Sequence, residues 1–63
     1  MASLLRIERK AQGISIRQLA YFADTDASTI SRIERGLIAE PGPALQVRIA
    51  QALRVPLDRL FPR

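Results

Sequence analysis

The sequence predicts an all-α fold, a compact bundle of about five short helices. Three features carry that prediction. Residues suited to cap a helix start stand at Ser3, Ser15 and Asp26, each just ahead of a run with apolar periodicity. Within the runs, apolar residues recur three or four apart, which lines one side of a helix. Glycine and proline then cut the runs short, at Gly13, Gly36, Pro41, Pro43, Pro56 and Pro62.

Taken in order, Ser3 caps a first helix that runs to about Gln12. Leu4, Ile7 and Ala11 fall at helical spacing with Leu5 beside them, and are expected to face inward. Gly13 supplies a left-handed stop, and Arg9 and Lys10 lie in the last turn, where cations suit the helix dipole. Ile14 is placed as a hydrophobic staple reaching Leu19. Ser15 and Gln18 form a capping box, so the second helix begins at Ile16, with Leu19, Ala20 and Ala23 on its apolar side. Of the neighbours Tyr21 and Phe22, one is expected in the core and the other at the surface or between two subunits.

Asp24 tolerates left-handed backbone, and Asp26 can accept hydrogen bonds from the first free amides of a third helix. That helix turns Ile30 and Ile33 inward and leaves Ala27, Ser28, Ser31, Arg32 and Arg35 outside. Gly36 ends it, and an irregular connector follows. Proline fits a first helical turn, so a fourth helix begins near Pro43 or Ala44, with Leu45, Ile49, Ala52 and Leu53 as its buried stripe and Val47 and Ala50 flanking. Val55-Pro56 turns into a last helix from Leu57 to Phe61. No repeat or low-complexity stretch is visible, and residues 1–63 read as one domain.

A chain of 63 residues can build only a modest core. It has no cysteine and no histidine, which removes disulfides, thiolate chemistry and the common zinc sites. No metal and no cofactor are therefore expected. No apolar run approaches the ~20 residues that span a bilayer, and the first residues lack the order of a signal peptide, so the expected location is the cytoplasm. Ten Lys and Arg against six Asp and Glu give a net charge of +4, and nine of the ten cations are arginine. Such a surface attracts polyanions, and arginine favours forked contacts to phosphate or guanine.

The segment from Ser15 to Gly36 is two short helices joined by a tight turn, so the second can enter a DNA major groove. Its pattern is Ser15, Leu19-Ala20, Ser28-Thr29-Ile30-Ser31 and Ile33-Glu34-Arg35-Gly36. It resembles the helix-turn-helix of the Cro/phage-repressor (XRE) family. Downstream, Ile49-Ala50 with Leu53, and Leu57-Asp58 with Leu60-Phe61, resemble that family's last two helices. The resemblance covers nearly the whole chain.

It implies several roles. Arg9 would pair with Glu34, bracing the first helix against the third. Ala27, Ser28 and Arg32 match the base-facing positions. Ala27 offers a methyl to thymine, Ser28 can donate or accept, and Arg32 can grip guanine O6 and N7 together. Thr29, Ser31 and Arg35 are better placed for the backbone or a phosphate, and Ser15 and Arg17 meet a phosphate at the start of the second helix. Small members of the family often pair through their last two helices, which suggests Val55, Leu57 and Phe61 at a dimer contact.

The chain also departs from the family pattern. Ile16 stands where glutamine often touches the DNA backbone, and Asp24-Thr25 replaces a glycine and an apolar residue in the turn. Glu8 replaces a leucine, and Arg54 replaces a glycine after the fourth helix. Leu37, Ile38 and Glu40 replace the usual phosphate-holding cations of the connector.

Three classes of function compete. The favoured one is a sequence-specific regulator of transcription, binding double-stranded DNA as a homodimer on a palindromic operator and associating with the nucleoid when bound. The second is a protein-interaction module or antitoxin on the same scaffold, in which a second regulatory protein is the partner. The third, an enzyme, is the weakest, since the sequence has no His, no Cys, no Gly-rich phosphate loop and no convincing carboxylate pair.

Overall fold

A computed structural model describes residues 3–62. Among them are five helices and no strand: α1 Leu4–Ala11, α2 Ile16–Phe22, α3 Ala27–Glu34, α4 Pro43–Leu53 and α5 Leu57–Leu60. The three expected caps open the first three. The Ser3 hydroxyl accepts from the Arg6 N–H at 3.0 Å. Ser15 and Gln18 exchange both bonds of a capping box, at 3.0 and 2.8 Å. Asp26 accepts from the Thr29 N–H at 3.1 Å.

The exits share one geometry. After α1, α2, α3 and α4 a left-handed residue follows, and the amide beyond it bonds a carbonyl one turn back into the helix: Ile14 to Arg9, Thr25 to Ala20, Leu37 to Arg32 and Val55 to Ala50. This double-bonded stop satisfies carbonyls that a helix end leaves free. Gly13 and Gly36 take the left-handed position at φ 70° and 78°. Asp24 and Arg54 take it at φ 54° and 58°, where a side chain is disfavoured.

All five helices contribute to one core of Leu5, Leu19, Ala20, Ala23, Ile30, Ile33, Ile49, Ala50, Leu53 and Leu60. Burying a large aliphatic side chain stabilises by about 1.5–3 kcal/mol, so Leu5, Leu19, Ile30, Ile49 and Leu53, all essentially inaccessible, hold most of it.

Three expectations fail. In α1 the inward residues are Leu5 and Arg9, while Leu4, Ile7 and Ala11 face solvent. Ile7 lies about 200° round the helix from both Leu5 and Arg9, so a helix that turns Arg9 inward must turn Ile7 out. Neither Tyr21 nor Phe22 enters the core. They are 82% and 57% exposed and stack edge to face, their centroids 5.8 Å apart. The aromatic that packs against the core is Phe61. In α4, Gln46 is buried and Leu45 and Ala52 only half-buried. Gln46 is satisfied there, its amide donating to the Pro41 carbonyl at 2.7 Å.

Polar contacts tie the helices at their ends. Gln12 donates to the Leu53 carbonyl at 2.7 Å, joining α1 to α4. Arg48 donates to the Ala23 carbonyl at 2.8 Å, joining α4 to the end of α2. Glu8, in place of an apolar residue, is partly exposed and meets Gln12 and, at 3.5 Å, Arg59 of α5.

Candidate nucleic-acid interface

The α2–turn–α3 segment is built from local signals. Helix α2 stops at Ala23, Asp24 turns the chain through its left-handed conformation, and Asp26 restarts it. Ile30 and Ile33 anchor α3 in the core, which sets the opposite side of that helix outward.

At the far end of α3, Glu34 is buried and faces α1. Its carboxylate accepts from Arg9 Nε at 2.6 Å and Arg9 Nη2 at 3.0 Å, a two-point grip. The third donor used, Nη1, reaches the Ile14 carbonyl at 2.8 Å. Arg9 and Glu34 are 7% and 9% exposed, so the pair lies inside the fold. The hydrogen bond to Glu34, aided by its charge and opposed by burial, raises the Arg9 guanidinium above its ordinary range. The guanidinium therefore stays charged, and its two-point grip on Glu34 fixes α3 against α1.

The outer side carries Ser28, Arg32 and Arg35, all exposed. Spacings of four and three place them along one face of the helix. Neither an ion pair nor a side-chain hydrogen bond among the described residues engages Arg32 or Arg35. Ser31 is half-buried, and so is Ala27, which packs against the core, so only part of its methyl faces out.

The start of α3 holds a tighter arrangement. Asp26 accepts from the Ser28 hydroxyl, from the Thr29 hydroxyl at 2.6 Å and from the Thr29 N–H at 3.1 Å. These donors, the Ser28 hydroxyl first, bring its carboxyl down from 3.8 to about 2. With its hydrogen turned inward, Thr29 has none to give a phosphate, which only accepts. Ser15 differs: its oxygen accepts from the Gln18 N–H, so its hydrogen is free to donate outward. Arg17, also on α2, is exposed.

In the connector, Leu37 is exposed and Ile38 packs against the core, so the two neighbours divide the alternatives between them. Val55, Leu57 and Phe61 are half-buried against the core. Sequence reasoning missed Arg48 and Gln46, whose partners are backbone carbonyls on other segments. Nothing in local pattern announces such a partner.

Residues 5–60 match the helix-turn-helix family. The chain belongs to that family. Its helix-turn-helix is of the Cro/phage-repressor (XRE) type. Among curated proteins it is similar to three from Bacillus subtilis (strain 168). One is the uncharacterized HTH-type transcriptional regulator RghRB, 38% identical over 57 residues, which cover 90% of this chain and 41% of that protein. Another is the HTH-type transcriptional repressor RghR, 38% identical over 57 residues, 90% of this chain and 42% of that one. The third is the HTH-type transcriptional regulator SlrR, 36% identical over 58 residues, 92% and 38%. The chain spans about two fifths of the length of these relatives. No solved structure gives a significant match.

Proposed function

We propose that this helix-turn-helix domain binds double-stranded DNA as a sequence-specific regulator of transcription, with α3 in the major groove. The observation that carries the reading is the outer face of α3. Ser28, Arg32 and Arg35 stand there exposed, on a helix held by its cap, its core residues and a buried ion pair. Relatives named as transcriptional regulators and a repressor support it. Arg32, four residues beyond Ser28, takes the base-reading role with Ala27 and Ser28, while Arg35, Arg17, Ser15 and Ser31 meet phosphates. The protein acts in the cytoplasm, and catalysis has no part in the role.

Two copies binding a palindrome would place two α3 helices about one helical turn apart. Val55, Leu57 and Phe61 are the contact that the family resemblance suggests for them, through whatever part of each the core leaves uncovered.

The test is binding to a random duplex library at several salt concentrations. Affinity must fall steeply with salt, because phosphate contacts release counterions. Arg32→Ala should lose discrimination at particular base pairs by roughly 1–3 kcal/mol. Arg35→Ala should weaken all sequences alike and reduce the salt slope by about one phosphate contact. Absence of duplex binding at low salt would refute the reading in favour of a protein-interaction module.

A further inference from the structure

We propose that Asp26 is a positioning residue for sequence reading: by taking the Ser28 hydroxyl hydrogen, it makes Ser28 an acceptor-only contact that selects adenine or cytosine on the strand it touches. This rests on α3 lying in the major groove.

The polarity follows from the groups present. An ionised carboxylate has no hydrogen to give. In each Asp26–hydroxyl contact, the hydrogen must therefore come from Ser28 or Thr29. A hydroxyl carries one hydrogen and two lone pairs. Once that hydrogen points at Asp26, what Ser28 can offer outward is lone pairs. Ser28 is exposed and Thr29 half-buried, so Ser28 is the one a duplex meets.

In the major groove, adenine N6 and cytosine N4 donate, whereas guanine N7 and O6 and thymine O4 accept. An acceptor-only serine gains a hydrogen bond from the first pair and sets lone pair against lone pair with the second. The same polarity keeps Ser28 off phosphates. A serine without this neighbour could turn its hydrogen either way and would discriminate little.

Selection of bound sites from a randomised duplex library by the wild type, Ser28→Ala and Asp26→Gly tests this. Glycine is tolerated at a helix cap, and circular dichroism checks that each variant is folded. Asparagine would not serve, because the Asp26 oxygen that caps the Thr29 N–H is the one that takes the Ser28 hydrogen, whereas glycine leaves no side-chain acceptor for it. The wild type should enrich adenine or cytosine over guanine or thymine at one position by about three- to ten-fold, the worth of one hydrogen bond. Ser28→Ala should erase that preference, and Asp26→Gly should flatten it while leaving the Arg32-dependent position intact.

Enrichment of guanine or thymine at the Ser28-dependent position would overturn the proposal. So would an unchanged preference in Asp26→Gly, or the absence of any Ser28-dependent position in a wild type that selects sites. Failure of the wild type to bind duplex at all would sink the DNA-binding reading itself, and this proposal with it.

Discussion

Replacing Glu34 with leucine would leave the Arg9 guanidinium buried with one of its three hydrogen-bond acceptors, the Ile14 carbonyl. Breaking a buried pair by removing one partner destabilises by about 3–5 kcal/mol, because the remaining charge stays out of water. A 63-residue domain at roughly 0.05–0.15 kcal/mol per residue has only about 3–9 kcal/mol to lose. The variant should therefore be marginal. Even the lower loss should drop Tm by about 12–24 °C, at 4–8 °C per kcal/mol for a domain of this size. Arg9→Met should behave similarly, leaving a buried carboxylate. The double variant Arg9→Met/Glu34→Leu removes both charges and leaves chiefly the Ile14 carbonyl unpaired, a loss of about 1–3 kcal/mol. The cycle should thus be strongly non-additive, with the double variant more stable than either single. Urea titrations followed by circular dichroism measure all four proteins. Single losses below about 1 kcal/mol, or a double loss equal to the sum of the singles, would show that water shares the pair and that the ion pair does not hold α3.

Other predictions concern the two ends of the helices. Asp26 has its carboxyl lowered from 3.8 to about 2 in the fold. A lowered carboxyl contributes stability that is complete above pH 3.8 and is lost as pH falls through about 2. The difference in Tm between the wild type and Asp26→Asn should shift in the acid direction only across that window, which thermal scans at stepped pH can follow. A difference independent of pH would refute the charge-assisted cap. At the exits, Arg54→Gly relieves a left-handed side chain that costs roughly 1–2 kcal/mol, while glycine's freedom in the unfolded chain takes back about 0.4–1 kcal/mol. A net gain of about 0.5–1 kcal/mol is expected in urea. Asp24→Gly should gain less, because aspartate tolerates this backbone better. Destabilisation by Arg54→Gly would count against the argument.

The helix boundaries were legible because caps and stops are local. Ser15 with Gln18, Asp26, Gly13 and Gly36 act within a few residues of where they stand. The orientation of α1 was not. Leu4, Leu5 and Ile7 offer two competing stripes, and periodicity alone does not rank them. The decision comes from Arg9, whose partner lies 25 residues away, so the resemblance that suggested the pair already contradicted the Leu4–Ile7–Ala11 stripe. Tyr21 and Phe22 misled for a related reason: aromatic residues usually supply core area, but Leu19, Ala20 and Ala23 already fill the inner side of α2. Ser28 could be placed on the outer face from spacing, but the direction of its hydroxyl depends on a contact two residues back that forms only in the folded chain.

Restraint and bareness go together on α3. Its first turn is tied by Asp26, its inner side by Ile30 and Ile33, its last residue by Arg9 and its exit by the bond from Leu37 to Arg32. Nothing on the described residues neutralises Arg32 or Arg35. A rigid helix then loses little backbone freedom when it docks, and most of the ordering falls on a few long side chains. The connector adds no help, since Leu37, Ile38 and Glu40 carry no positive charge. With Arg17 and Arg35 as its phosphate-facing cations, one copy would show a salt slope of only about −2, near −0.9 per phosphate. Electrostatic binding that weak leaves a single copy poorly held at physiological salt. Two copies on one duplex would double the slope to about −4 and join two sets of base contacts, and it is this arithmetic, more than any surface seen on α5, that favours a paired assembly on DNA.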